Sequence, residues 1–274
     1  MWYVLAASLF FLPFHRAASL TLLAITLGMA IWNQTLALPG IGAVAVLGGL
    51  AVYRVVKGDN ARLRQASEMV LVAGSLALML HLLPGFDNQA IVKAVKAGPE
   101  SAPFSFYFNL DKALVPFLLL GCLPTLLKRP ASPPKNALWW LVLVLAMPLL
   151  LLLATLAGGL TVELHQPAWL GAFMLANLFF VSLAEEALFR GYFQQRLTQR
   201  LGNLWGLLGA AILFGLAHYP GGPLLIFFAT LAGVIYGLAW LWSGRVWVST
   251  LVHFSFNMLH LLFFTYPVWQ HPPA

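Results

Sequence analysis

Long apolar segments separated by short polar connections are the feature of this sequence that most restricts its fold. Several segments, such as residues 137–157 and 223–242, are long enough as helices to cross the roughly 30 Å hydrocarbon core of a bilayer. Their mixture of Leu, Ala and Gly does not show the short alternating pattern of a transmembrane β-barrel. The sequence therefore predicts an all-α fold, a polytopic transmembrane helix bundle with about eight to ten membrane spans.

The charged residues support this prediction and also indicate an orientation. They make up 8% of the chain, against about 25% in a soluble domain. Most of the Lys and Arg residues lie in alternate connections, where a positive charge marks the cytoplasmic side. The net charge of +7 is therefore interpreted as a topology signal, with no nucleic acid partner, and both termini are expected outside. The basic residues of these alternate connections are Arg16, Arg54, Lys57, Arg62, Arg64, Lys128, Arg129, Lys135, Arg196, Arg200 and Arg245.

The proline-containing segment 128–136 divides the chain into two parts. Residues 1–130 are predicted to form N-terminal transmembrane helices without a recognised motif. Residues 131–274 are predicted to form a catalytic transmembrane core, because every candidate catalytic group lies there. Residues 85–112 are the one long polar excursion, and we expect an extracytoplasmic loop with a short interfacial helix.

Two adjacent carboxylates, Glu185 and Glu186, lie within an apolar segment of a chain that has only eight acidic residues. An ionisable side chain at bilayer depth is costly and by default marks a functional site. On a helix, Arg190 is the i,i+4 neighbour of Glu186 and can neutralise it, which leaves Glu185 as the less obviously paired carboxylate. A buried ion pair that only locks helix packing would show the same pattern.

A histidine ends the next apolar segment, in the sequence Phe214-Gly-Leu-Ala-His218. The connection Leu201–Asn203 has the composition of a hairpin turn, and Glu185 and His218 lie at similar distances from it, about 24 Å along a helix. Two antiparallel helices would bring both side chains to the same depth. A packed, hydrogen-bonded histidine is the simpler alternative.

The last apolar segment carries His253 and Asn257 at i,i+4 spacing, and His260 continues the same face. Polar side chains along one face of an apolar helix indicate a polar or hydrated interior on that side. Hydrogen bonds between helices would explain the same residues, because His and Asn commonly form them in membrane bundles.

Together these motifs resemble those of the CPBP family, which includes type II CAAX prenyl endopeptidases and the bacterial Abi-type bacteriocin-immunity proteins. The similarity covers about residues 165–265 and includes the sequence patterns Glu-Glu-x-x-Phe-Arg-Gly and Phe-Gly-Leu-Ala-His. The motifs, in chain order, are Glu185-Glu186-x-x-x-Arg190, Phe214-x-x-x-His218 and His253-x-x-x-Asn257.

The resemblance implies an intramembrane endopeptidase that cleaves a membrane-anchored protein or peptide. Glu185, assisted by His218, would be the general base that activates water. His253 and Asn257 would polarise the scissile carbonyl and stabilise the oxyanion. The supporting residues would be Glu186, Arg190 and Phe214. No Ser or Cys has a comparable setting, which favours direct attack by water over an acyl-enzyme.

A cofactor is not favoured, although zinc stays an alternative. Glu185, His218 and His253 would supply three ligands and leave one position for water. Against this, the His-Glu-x-x-His signature of typical zinc proteases is absent. The resemblance further implies an integral, multi-pass protein of the cytoplasmic or inner membrane, in contact with the lipid bilayer and with its active site toward the cytoplasm.

Two other functions would also fit the sequence. One is a non-enzymatic immunity or scaffold protein of the membrane that keeps the motifs for structural reasons. The other is a proton-coupled transporter that uses Glu185 and His218 as a relay, although we find no internal repeat of the kind that many transporters contain.

Overall fold

The structure is a computed structural model that describes residues 1–57 and 60–270. Most of these residues are helical, and the helices pack around a large shared apolar core, which confirms the all-α bundle. The helices of the first half are α1 (Trp2–Phe11), α2 (Arg16–Trp32), α3 (Leu38–Lys57), α4 (Ala61–Met79) and α5 (Leu110–Cys122). Each contains most of one apolar segment of the sequence.

The second half contains the motif residues and has a less regular helical backbone. Two stretches of π-helix, π1 (Ala176–Ser182) and π2 (Ala187–Gln194), flank the helix that carries the glutamate pair. Short π-helical stretches within α-helices are frequent at functional sites. The α-helices here are α6 (Leu138–Leu156), α7 (Leu170–Leu175), α8 (Leu183–Glu186), α9 (Gln195–Leu216), α10 (Gly222–Ser243) and α11 (Val246–Phe263).

Within α9 the chain reverses direction at Gly202. Its φ of 84° lies in the left-handed region, which glycine adopts without steric cost. The two arms then approach closely, since a Cβ atom on Gly206 would lie 2.7 Å from the backbone nitrogen of Thr198. The predicted hairpin turn is confirmed, and π2 and the second arm of α9 run antiparallel.

Among the described residues, five helical runs have the length and composition of a membrane span. One of them, Leu170–Leu216, includes the reversal at Gly202, and α1 and α2 are apolar but shorter. The protein is therefore an integral, multi-pass membrane protein. The number of eight to ten spans stays a prediction. The five runs are Leu38–Val56, Leu138–Leu156, Leu170–Leu216, Tyr219–Ser243 and Val246–Phe263.

The basic connections meet at one end of the bundle, which we call the basic end. Lys128 forms an isolated bridge with Arg245, and the Arg129 amide donates to the carbonyl of Gly244 at 2.8 Å. Arg54 and Arg196 both form ion pairs with Glu68 of α4. This clustering is what the positive-inside interpretation requires of connections that share one side of a membrane.

The opposite end, which we call the hairpin end, is organised by two antiparallel strands, β1 (Gln89–Val95) and β2 (Phe104–Phe108). The expected interfacial helix in residues 85–112 is wrong. The β2 sequence Phe-Ser-Phe-Tyr-Phe places aromatic side chains at every second position on one face, which suits a strand. Ser101, between the strands, donates to Glu163 at 2.6 Å and accepts from the Tyr266 amide at 2.9 Å. These contacts tie the hairpin to connection 157–169 and to the segment after α11.

Candidate active site

Glu186 and Arg190 form a fully buried ion pair on the motif helix. Both side chains have no solvent exposure, and Arg190 Nη1 donates to Glu186 Oε1 at 2.9 Å. Arg190 Nη2 donates to the carbonyl of Gly233 at 2.9 Å, and its guanidinium carbon lies 4.5 Å from the centre of the Phe214 ring. The predicted i,i+4 contact is confirmed, and it reaches the next two helices of the motif region.

His253 shares the same carboxylate oxygen. Its Nδ1 lies 3.0 Å from Glu186 Oε1, and its ring stacks on Tyr236 with centroids 4.4 Å apart and planes 13° from parallel. Because a carboxylate can only accept a hydrogen bond, Nδ1 carries the proton. The ring is therefore held in one orientation, with Nε2 left for chemistry.

Glu185 faces the other nitrogen of this ring. Its Oε2 atom lies 4.0 Å from His253 Nε2, which is too long for a direct hydrogen bond. Its side chain is 14% exposed, whereas that of Glu186 is fully buried. The structure therefore separates the two glutamates, one inside an ion pair and the other with an accessible carboxylate, as the sequence predicts.

His218 lies one turn beyond Phe214 at the end of α9. Its Nδ1 is 2.8 Å from the carbonyl oxygen of Phe214, so that Nε2 points away from the helix that carries it. Phe189 and Phe214 contact edge to face with centroids 5.2 Å apart, and each lies four residues nearer the turn than Glu185 and His218 do. This register brings Glu185 and His218 to the same level of the two antiparallel helices that turn at Gly202.

Asn257 has a partner that sequence reasoning missed. Its Nδ2 donates to Asn177 Oδ1 at 3.2 Å, and Ser182 Oγ donates to the same oxygen at 3.1 Å. Asn177 is buried in π1. The amide group of Asn257 thus keeps one N–H donor for another acceptor. An amide side chain within an apolar span was the one sequence signal for Asn177.

The motif side chains converge on a cavity of about 490 Å³. His218, His253 and Asn257 contribute polar groups to its wall, and the rest of the lining is largely apolar. Tyr266 also lines it, and burial raises the pKa of this phenol, which stays neutral. Glu185 is not among the described residues that line the cavity. It lies beside His253, which does line the cavity. The apolar side chains of the lining include Leu150, Leu151, Leu160, Leu224, Leu225, Phe228, Phe256 and Val268.

The proposed zinc ligands do not form a metal site in this arrangement. Within residues 1–57 and 60–270, no three His, Cys, Asp or Glu side chains come together as a metal-binding group. Nδ1 of His253 contacts Glu186 and Nδ1 of His218 lies against a backbone carbonyl, so that Nε2 of each ring stays free, as it does in zinc-binding histidines. The side chains of Glu185, His218 and His253 are nevertheless not grouped closely enough to hold a zinc ion in this arrangement, and we derive no step through a metal.

Residues 167–259 match a protein-family model described as type II CAAX prenyl endopeptidase Rce1-like. This match covers about a third of the chain and supports its assignment to the CPBP family. No curated protein and no solved structure matches the chain. The matched region contains all three motifs, and it begins before π1 and ends within α11. The family model that it matches describes CAAX-type proteases.

The structure also shows that two expectations about orientation disagree. The exposed residues of the cavity lining include Gly221 and Val268, both of which lie at the hairpin end. The positive-inside interpretation places the opposite end in the cytoplasm. A cytoplasmic basic end and a cytoplasmic active site therefore cannot both be correct for this chain.

Proposed function

We propose that the chain is an intramembrane endopeptidase of the CAAX type, which hydrolyses a peptide bond of a membrane-associated protein or peptide. The observation that carries this proposal is the position of His253. Its ring is fixed by Glu186 on one side, lies 4.0 Å from the accessible carboxylate of Glu185 on the other, and lines the cavity with His218 and Asn257. An ion pair that served packing alone would not need a second carboxylate and a cavity beside it.

In the proposed mechanism Glu185 accepts a proton from water, and the water oxygen attacks the scissile carbonyl carbon. General-base assistance of this kind contributes about 10²–10⁴-fold to a rate. The proton then passes from Glu185 to the departing amine, so that the carboxylate is regenerated. His218 lies at the level of Glu185 and assists in orienting the water.

The negative charge that develops on the carbonyl oxygen needs donors directed at it. The free N–H of Asn257 is one such donor. His253 can donate through Nε2 only when the ring is protonated, because Nδ1 is already bound to Glu186.

Glu186 and Arg190 support these groups from outside the cavity lining, and Phe214 supports them from the cavity wall. Glu186 holds the ring of His253, and Arg190 neutralises Glu186. The Phe214 ring covers the guanidinium and packs against His218, with ring centroids 4.7 Å apart. Such outer contacts fix the reacting groups to within a fraction of an ångström.

The decisive experiment uses Glu185→Gln, which keeps the size of the side chain and removes its basicity. Purified wild-type protein should cleave a membrane-tethered peptide or a farnesylated CAAX peptide, and the variant should not. Thermal stability in detergent should stay near wild type, with Glu163→Gln at the hairpin end as a matched control. Full cleavage by Glu185→Gln would refute the role of Glu185 as general base. Absence of cleavage by the wild type would favour a non-enzymatic role, and proton uptake without cleavage would favour a transporter.

Chelation separates the glutamate mechanism from a zinc mechanism. We expect active protein to keep its cleavage rate after prolonged treatment with a zinc chelator and dialysis, because Glu185 itself activates the water. A lasting loss of activity that zinc restores would contradict this expectation. The readout is the initial rate, compared with a chelator sample that is preloaded with zinc.

We place the enzyme in the cytoplasmic membrane, where its partners are the bilayer and a membrane-anchored substrate. The basic residues that give the chain its charge of +7 lie largely in connections at one end of the bundle. We therefore assign that charge to membrane topology and propose no nucleic acid partner.

A further inference from the structure

The cavity has one open end and one closed end. Its lining at the hairpin end comes from connection 157–169, the turn Tyr219–Gly221 and the segment that follows α11, and it includes the exposed residues Gly221 and Val268. From there it runs inward along α10, past Phe228 and Ala232, to Tyr236 and His253. No residue of the basic connections lines it among those that the structure describes.

A layer of buried side chains separates the inner end of the cavity from the basic end. Tyr236 is 1% exposed, and Trp240, one turn further along α10, is fully buried. Arg129, in the proline-containing connection, lies over the Trp240 ring at 4.6 Å from its centre. Gln194 of π2 donates to the carbonyl of Gly237 at 3.0 Å and is also fully buried. These residues close the path from the basic end to His253.

The two ends of the bundle differ in the number of basic residues and in the ratio of basic to acidic residues. The basic end carries the Lys and Arg residues of the alternate connections, with Glu68 as a partly exposed counter-ion. At the hairpin end, three lysines are accompanied by acidic residues. These residues are Lys93, Lys96, Lys112, Asp87, Glu100, Asp111 and Glu163. By the positive-inside rule the basic end faces the cytoplasm and the hairpin end faces away from it.

From these observations we infer that the cavity opens on the non-cytoplasmic side and receives there an apolar, uncharged segment of an exported or membrane-anchored polypeptide. The inference rests on the proposed endopeptidase function and specifies its substrate class. A substrate presented at the cytoplasmic face would meet the closed layer around Trp240.

The chemistry of the lining defines the segment. No Asp, Glu, Lys or Arg lines the cavity in the described part of the chain, and its polar groups are histidine, asparagine and tyrosine side chains. A charged side chain near the scissile bond would lose its hydration without gaining a partner of opposite charge. A volume of about 490 Å³ is within the usual range for binding pockets of roughly 300–1,000 Å³. The site therefore selects a short run of apolar residues.

Cysteine accessibility tests the direction of opening, because the one native cysteine, Cys122, is buried and can be replaced by alanine. A membrane-impermeant maleimide is applied to right-side-out vesicles that contain single-cysteine variants. Ala232→Cys lies in the cavity wall, and Ala239→Cys lies two turns further along the same helix, outside the cavity. Val162→Cys and Arg200→Cys report the hairpin end and the basic end.

We expect Val162→Cys and Ala232→Cys to be labelled in intact vesicles, Arg200→Cys only after permeabilisation, and Ala239→Cys in neither state. Labelling of Ala232→Cys only after permeabilisation, or in neither state, would overturn the inference. Labelling of Arg200→Cys but not Val162→Cys in intact vesicles would overturn it as well, because the bundle would then be inverted. Gel filtration of each variant confirms that it is folded.

Cleavage assays distinguish failure of this inference from failure of the proposed function. One reporter carries a leucine- and alanine-rich segment with a terminal tag on the non-cytoplasmic side of its anchor, and a second carries it on the cytoplasmic side. We expect only the first to lose its tag, and only with wild-type Glu185. Cleavage of the second reporter alone would refute entry from the non-cytoplasmic side and would still support the endopeptidase function. Cleavage of neither, with the expected labelling, would refute the protease and keep the direction.

Discussion

Residues 1–57 and 60–270 contain two ion-pair networks of arginine and glutamate, and these networks differ in how completely their atoms are paired. At the basic end, one oxygen of Glu68 accepts from Tyr192 and Arg196, and the other accepts from Arg54 at 3.0 Å. In the motif region, both Arg190 and His253 use Oε1 of Glu186. The second oxygen, Oε2, and Arg190 Nε have no hydrogen-bond partner among the described residues.

This difference separates structural from functional use of the same residue types. The Glu68 network is partly exposed and joins α3, α4 and α9, as a clamp between helices does. The Glu186 network is fully buried and leaves polar atoms unpaired, which costs about 1–3 kcal/mol for each group. A chain that needed only packing could replace it with apolar side chains at no loss of stability. The motif network is therefore expected to affect activity, and the Glu68 network stability alone.

Among the variants of the two networks and their neighbours, Glu185→Gln is expected to have the largest effect on the cleavage rate. We expect cleavage of a tethered peptide to fall about 10²–10⁴-fold, because general-base assistance is lost. Glu68→Gln should leave the rate per folded molecule within about twofold. The measurement is kcat with each variant at saturating substrate. Equal losses for the two variants would erase the distinction between the networks.

Arg190→Met should produce the largest loss of stability. Removing one partner of a buried ion pair leaves an uncompensated charge and costs about 3–5 kcal/mol. The measurement is the denaturation midpoint in detergent, followed with a thiol-reactive dye on Cys122. The double variant Arg190→Met with Glu186→Leu should recover part of the loss, because no lone charge stays behind. A double variant as unstable as the single one would argue that packing around Arg190, not charge, explains the loss.

Asn177→Ala is expected to have an intermediate effect, on activity and not on folding. Without Asn177 Oδ1 the amide of Asn257 loses its anchor, and misplacement of a reacting group by about 1 Å can cost up to about 10²-fold. We expect kcat to fall about 10–100-fold with KM little changed. Asn177→Asp, which keeps the accepting oxygen, should restore part of the rate. No difference between the alanine and aspartate variants would show that the contact is incidental.

Arg196→Ala should have the smallest effect. Its side chain is 33% exposed, and a solvent-accessible ion pair typically contributes about 0–1 kcal/mol. We expect the free energy of unfolding, measured by denaturation in detergent, to fall by no more than that amount, and by less in high salt. The cleavage rate per folded molecule should not change. A change in kcat would connect the basic end to the catalytic groups and weaken the comparison.

Much of the bundle was predictable because insertion into a membrane strongly restricts which residues can occupy the helices and their connections. Apolar length marks the helices, and the positions of Arg and Lys mark the alternation of their connections. The turn at Gly202 followed from local composition. The contact between Glu186 and Arg190 followed from i,i+4 spacing, because that pair stays adjacent on a helix surface whatever surrounds it.

What could not be predicted depends on contacts between distant parts of the chain. The π-helices keep the same apolar composition as an α-helix, so no periodicity distinguished them. His253 was expected to act on the substrate, but its bond to Glu186 depends on the packing of α11 against α8. The strands of residues 85–112 and the closed layer at Trp240 depend on how the two halves of the chain meet.

The two π-helices that flank Glu185 and Glu186 have a consequence for the spacing of the motif. A π-helix holds one more residue in each hydrogen-bonded turn than an α-helix does. Loss of a single residue from Ala176–Ser182 could therefore be absorbed by a return to the narrower helix, with every backbone hydrogen bond kept. The faces of the segments on either side of the deletion would then stay nearly in register. The same loss from the regular helix α11, between His253 and Asn257, would instead turn one of these side chains away from the other by about 100°. The motif helix can therefore tolerate a change of length that α11 cannot.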